Sequence, residues 1–182
     1  GLINDTINLF REKFSHANEK ASPGYYEVAL NNGIKAAFTT TERCGLHQYS
    51  FPKGAEPVIR FNLGFAINWD SPTETYIEKI NDSTIVGYRF SKGWAHTQRL
   101  YFAARTSVPF TKLYLAEGKV AVEGNNAKGK LTKGQLLFKN ADGKTIFIKV
   151  SLSSVSTAKA LLALDEIRGW NFNSVRKSAA AK

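Results

Sequence analysis

The sequence predicts a mostly β protein, an antiparallel β-sandwich finished by one or two short C-terminal helices. Three observations carry that prediction. Apolar residues recur at every second position, stretch after stretch, from Tyr26 to Leu152. Gly, Asn and Pro separate these stretches at short spacing, as turns between neighbouring strands do. From Ser156 onward the apolar spacing changes to three and four, the period of a helix.

Taken in order, Ile3, Ile7, Phe10 and Phe14 have helical spacing, in a segment too short and poorly capped to stand alone. Tyr26, Val28 and Leu30 form the first strand stripe and Ile34, Ala36 and Phe38 the second. Asn31-Asn32-Gly33 lies between them, residues suited to a hairpin turn. The longest stripe is Ile59, Phe61, Leu63, Phe65 and Ile67, with Arg60, Asn62, Gly64 and Asn68 on the other face, and it predicts one half-buried strand over 59–67. Further stripes are Val86, Tyr88 and Phe90, then Leu100 and Phe102, Leu113 and Leu115, and Val120 and Val122. Ile146, Ile148, Val150 and Leu152 close the β region. Ala160, Leu161, Leu164 and Ile167 then mark a helix, with Ser156 as N-cap and Gly169 as its stop. A second helix is expected from Asn173 or Ser174 through Ala181, with nothing in this chain to bury itself against.

The 182 residues, 43% hydrophobic and 22% charged, fit one globular domain over 1–182, its segment 156–182 helical. The single cysteine, Cys44, excludes an internal disulfide and a multi-cysteine metal site. The longest apolar run, Ala160 to Leu164, is far too short to span a bilayer, and no secretory signal opens the chain. The start at Gly1 and the absence of methionine point to a piece of a longer protein. A net charge of +10 invites a nucleic-acid reading, but the Lys and Arg are scattered along the chain rather than focused. The densest run, Lys119 to Lys149, is broken by Gly and Asn and reads as solvated turns.

Chemistry is sparse. His16, His47 and His96 are far apart, without the short spacing of a metal site. Cys44 sits in a strand pattern and reads as a small buried hydrophobe. No phosphate loop or nucleophile elbow is present. The adjacent Asp165 and Glu166 point about 100° apart on a helix and read as solvent-facing; Glu74 and Glu78 share a strand face that an exposed edge explains equally well. No catalytic carboxylate pair of the glycosidase kind is nominated. Of Trp69, Trp94 and Trp170, core packing is the default, and Trp94 is the exception. It lies in Ser91-Lys-Gly-Trp-Ala-His-Thr-Gln98, a polar break between two strand patterns, where functional loops sit.

Several segments, in order, resemble one family. They are Phe14-Ser-His-Ala-Asn-Glu-Lys-Ala-Ser-Pro-Gly-Tyr-Tyr26, Thr41-Glu-Arg-Cys-Gly-Leu-His-Gln-Tyr-Ser-Phe-Pro52, Gly87-Tyr-Arg-Phe-Ser91, Gly93-Trp-Ala95 with Tyr101-Phe102, Ser153-Ser-Val-Ser156, and Trp170-Asn-Phe172 with Ala160, Leu164 and Glu166. The set is similar to the N-terminal domain of glycoside hydrolase family 92, exo-acting bacterial α-mannosidases. Ala163, Asn171 and Cys44 depart from the residues usual there. The resemblance implies a β-supersandwich of the galactose-mutarotase-like kind, packed on a C-terminal (α/α)6 catalytic domain absent from this chain. It implies calcium-dependent, inverting hydrolysis of terminal mannose from mannan or N-glycans, α-1,2-linked by expectation, with acid and base on the absent domain. Calcium is thus a cofactor of the full-length enzyme and not of this fragment, which alone is expected to be inactive. The resemblance also implies a periplasmic or secreted protein, with mannose-containing glycans as partners and neither nucleic acid nor a membrane span. Trp94, His16 and His96 are the substrate-lining candidates; Trp170 and Phe172 are interdomain candidates, expected to leave an exposed apolar patch. The alternative is a free-standing carbohydrate-binding sandwich using Trp94 or Trp170 as its platform.

Overall fold

The structure, a computed structural model, describes residues 12–139, 141 and 143–182. The helical spacing over Ile3, Ile7 and Phe10 lies outside them; Phe14 lies inside and is exposed. Among the described residues thirteen strands form: β1 (Glu19–Ser22), β2 (Tyr25–Ala29), β3 (Lys35–Thr40), β4 (Cys44–Ser50), β5 (Val58–Asn62), β6 (Ser71–Asn81), β7 (Thr84–Lys92), β8 (Gln98–Thr106), β9 (Lys112–Glu117), β10 (Val120–Val122), β11 (Asn126–Gly129), β12 (Thr132–Leu137) and β13 (Thr145–Ser153). Two helices follow, α1 (Thr157–Ala163) and α2 (Phe172–Ala180). All pairings are antiparallel. The large sheet runs β1-β2-β3-β4-β13-β8-β7-β6-β11 and the small one β10-β9-β12-β5. The predicted antiparallel supersandwich with two short C-terminal helices is the fold observed.

Strand alternation divides the large sheet into two faces with separate cores. Ile77, Ile85, Phe102, Ile146 and Ile148 point toward the small sheet and meet Leu115 and Leu136 there. Val86, Ala103, Cys44, Leu46 and Ala37 point the other way, where Ala160, Leu164, Ile167 and Phe172 cover them. The hairpin turn forms where Asn31-Asn32-Gly33 predicts it. The Ile34 carbonyl accepts the Leu30 N–H at 2.8 Å, and the Asn32 side chain accepts the Ile34 N–H at 3.1 Å. Ser156 caps α1 by accepting the Lys159 N–H at 3.2 Å; the helix ends at Ala163 and a 3-10 turn over Leu164–Glu166 follows, so Gly169, with its left-handed φ of 66°, lies beyond both and is not the helix stop predicted.

Two further expectations are corrected. The stripe from Ile59 is a strand only to Asn62; Phe65 and Ile67 are exposed in a loop. The partner strand β12 begins at Thr132, whose carbonyl takes the Leu63 N–H at 3.1 Å, so nothing remains for residues beyond Leu63 to pair with. Arg89 satisfies part of the loop instead, donating to the carbonyls of Leu63 (3.0 Å) and Phe65 (3.4 Å). The second correction concerns α2, which begins at Phe172 with Asn171 as N-cap and is well housed. Phe172 is buried against Tyr25, and Arg176 lies 3.6 Å from the Tyr25 ring centroid. At the far end, Ala179 packs so closely on the β1–β2 turn that a Cβ on Gly24 would lie 2.6 Å from its Cβ.

Candidate functional site: the tryptophan end of the sandwich

Antiparallel register places the turns of the large sheet at two opposite ends. One end gathers the loop before β6, the β7–β8 loop, the β3–β4 turn and the exit of β13. Trp94 stands there, 91% exposed. Its neighbour is Trp69, 66% exposed, with ring centroids 6.3 Å apart and planes 26° from parallel. Two exposed indoles stacked on each other have an evident physical use as a flat apolar platform. Sequence reasoning missed Trp69. The signal was present in Asn68-Trp-Asp-Ser-Pro72, a polar break like the one around Trp94, with Asn68 in the left-handed region at φ 58°.

The platform is held from below. Asp70, next to Trp69, pairs with Arg89 of β7. Hydrogen bonds from Arg89 and Ser91 outweigh burial and hold its carboxyl below the usual carboxylate range. Gly93 lets the second loop touch the first, since a Cβ there would stand 3.1 Å from Asp70 Cα and 3.4 Å from Trp69 Cδ1. His96 is exposed in the same loop as Trp94. His16 is elsewhere. It precedes β1 at the opposite end of the large sheet, with five strands between β1 and β7. There it is 91% exposed and bonds through Nδ1 to Glu19, which also accepts the Tyr26 hydroxyl at 2.7 Å. The structure therefore brings Trp94 and His96 together, adds Trp69, and leaves His16 apart.

Trp170 and Phe172 do not form the expected exposed patch. Phe172 is core, and Trp170 is half-buried over Lys149, whose Nζ lies 4.4 Å from the ring centroid. Lys149 is itself buried, contrary to the solvated-turn reading of its run, and donates to the Ile167 carbonyl at 2.7 Å. Burial, helped by nearby Arg105, pulls its pKa down. Glu166 is not solvent-facing either. It accepts from the Thr41 hydroxyl (2.7 Å), the Arg43 N–H (3.1 Å) and Arg43 Nε (2.5 Å), tying the β3–β4 turn to the segment after α1. Burial raises its pKa, but these bonds prevail and hold it low. Cys44 is fully buried, its thiol pushed up to about 11 by burial, which makes it inert at neutral pH. Among the described residues no group of three or more His, Cys, Asp or Glu gathers as a metal would need.

Fold and site together define a glycosidase-associated β-supersandwich. Residues 4–153 match the profile of the glycosyl hydrolase family 92 N-terminal domain, and the chain belongs to that family. A family 92 α-mannosidase from Bacteroides thetaiotaomicron superposes with a TM-score of 0.88 at 31% identity, covering 93% of this chain and 24% of its own. The same enzyme is also solved with mannoimidazole bound. A second family 92 glycosyl hydrolase superposes with a TM-score of 0.84 at 26% identity, over 93% of this chain and 24% of that one. An uncharacterized secreted glycosidase of Arthroderma benhamiae is 44% identical over 50 residues, 24% of this chain and 6% of that protein. This chain thus spans about a quarter of the solved relatives' length.

Proposed function

We propose that this domain serves an exo-acting, inverting α-mannosidase, α-1,2-selective, that removes terminal mannose from mannan or N-glycans in the periplasm or outside the cell. The observation that carries this reading is the anchored, solvent-facing Trp69–Trp94 pair in a domain 31% identical to α-mannosidases. Its residues do a non-covalent task. The indoles stack on the apolar face of a sugar ring, His96 offers a hydrogen bond from the same loop, and the Asp70–Arg89 pair fixes the platform's tilt. His16 belongs to the same pocket only if a surface outside this domain bridges the two ends. Acid and base come from the remaining three quarters of such an enzyme. The calcium that the family implies has no fitting set of donors among the described residues, and no step is routed through it on this chain. The test is hydrolysis of an aryl α-mannoside and of α-1,2-mannobiose by the full gene product, with and without Trp94→Ala. Activity that falls at least tenfold in the variant, mainly through KM, supports the reading. Full activity in the variant overturns the role of the platform.

The same pair also suits the alternative of a carbohydrate-binding module, which needs no partner domain. Titration of the full gene product with mannobiose, followed by tryptophan fluorescence and set beside its hydrolytic activity, separates the two. Saturable binding by a full gene product that lacks hydrolytic activity favours the module.

A further inference from the structure

The end of the sandwich away from the tryptophans carries an open notch of about 460 Å³. It lies where the β6–β7 turn, the β8–β9 connection and the β12–β13 connection meet. β7, nine residues long, sets it about 30 Å from the Trp69–Trp94 pair. Phe110 and Phe138, both buried and with ring planes 88° apart, give the notch an aromatic floor beside Pro109. Thr111 and the exposed Asp82 and Lys144 stand around its mouth. Backbone bonds fasten the walls. The Phe110 N–H donates to the Asp82 carbonyl at 2.8 Å, the Thr111 N–H to the Leu137 carbonyl at 2.7 Å and the Lys144 N–H to the Ala141 carbonyl at 3.0 Å. The notch is thus preformed, and its size and its aromatic lining with a few polar groups are those of small-ligand sites.

We propose that this notch is a second carbohydrate site without catalytic function, seating a neutral hexosyl unit of a polymeric glycan while the tryptophan end holds another part of the same glycan. That the glycan is a mannan rests on the reading given above; the chemistry of the notch asks only for a neutral polyol. Three observations choose the ligand. Lys79 pairs with Asp82 at 2.7 Å, so this carboxylate is already neutralised and does not call for a cationic ligand. It keeps further acceptor sites, and the Lys144 ammonium carries three donors, so the mouth offers both halves of what a sugar hydroxyl needs. Phe110 and Phe138 supply the apolar contact that suits the C–H face of a pyranose. The separation of about 30 Å exceeds the reach of a monosaccharide, so a ligand that gains from both ends is a polymer. An apolar polypeptide segment is the poorer occupant, because it would desolvate Asp82, Lys79 and Lys144 without replacing their hydrogen bonds to water.

The experiment is affinity electrophoresis of the full gene product through native gels that contain either mannan or an unbranched α-glucan. Retardation by mannan should persist in Trp94→Ala. Adding Asp82→Ala or Lys144→Ala to that variant should weaken it at least fivefold; both are exposed positions outside the core. The retardation left in Trp94→Ala should survive high salt and yield to excess methyl α-mannoside. Retardation abolished by Trp94→Ala alone, or unmoved by either added substitution, overturns the proposal. So does retardation that salt removes and methyl α-mannoside does not, which is charge attraction by a chain of net charge +10. The mannosidase reading stands or falls separately. Retardation by the glucan and not by mannan, lost in the same variants, keeps the notch and sinks the mannose reading. Hydrolysis of mannobiose by a protein whose retardation ignores both substitutions does the reverse.

Discussion

Gly87 shows how a single residue holds this sandwich together. It pairs with Ile77 on one side and Phe102 on the other. A Cβ there would lie 2.1 Å from the Tyr76 carbonyl oxygen and 2.6 Å from the Phe102 ring, which stacks in turn on Phe61 at 6.0 Å. Gly87→Ala should therefore cost about 3 kcal/mol, read by denaturant unfolding; a loss under 1 kcal/mol would show that the ring yields freely. His47 supplies a pH signature. Burial pushes its pKa down to about 4, against an ordinary 6.5, and its Nδ1 meets the Tyr49 hydroxyl at 3.1 Å. A ring that holds its proton less tightly when folded than unfolded contributes stability fully above pH 6.5. That contribution fades as pH falls from 6.5 to 4, by up to about 3 kcal/mol. His47→Gln should flatten the stability profile in that window, and an unchanged slope would mean that the ring titrates normally.

At the scale of elements, the two helices are fastened by different means. α1 is capped by Ser156 and pinned to β13, where the Ser151 hydroxyl donates to the Ala160 carbonyl at 2.5 Å. α2 depends on Phe172 and on the Asn171 cap, whose side chain accepts the Ser174 N–H at 3.0 Å. Phe172→Ala should cost about 3–4 kcal/mol and Asn171→Ala about 1 kcal/mol. Trp170→Ala falls between, at about 2 kcal/mol, because its ring is half-buried over a lysine rather than in apolar core. These losses are measured by thermal unfolding. A neutral Phe172→Ala would mean that α2 is not docked on β2 and β3 in solution.

For the molecule as a whole, the prediction is catalytic silence. Among the described residues no acid–base pair stands across the tryptophan platform, so the isolated chain should not hydrolyse an aryl α-mannoside or mannobiose even with calcium present. Turnover that persists through repurification would reject this. Its charge of +10 should produce only weak, salt-sensitive and sequence-independent retention of nucleic acid. A sequence-selective complex at physiological salt would require a focused surface that the scattered Lys and Arg do not make.

What the sequence alone determined is local. The period-two stripes other than the one from Ile59, the Asn31-Asn32-Gly33 turn, the Ser156 cap and the burial of Cys44 follow from neighbours a few residues away, and each stands as read. Trp94 was legible for the same reason, as a tryptophan in a polar break. What only the tertiary structure decided depends on partners distant in the chain. β5 stops at Asn62 because β12, some seventy residues on, begins only at Thr132. Glu166 and Lys149 are engaged rather than solvated because β13 inserts between β4 and β8 and carries the helices across the sheet. Trp69 meets Trp94 because β6 and β7 pair in a register that brings their outer loops together. Period and propensity report which way a side chain points; what waits on that side is set by strand order, which no local window contains.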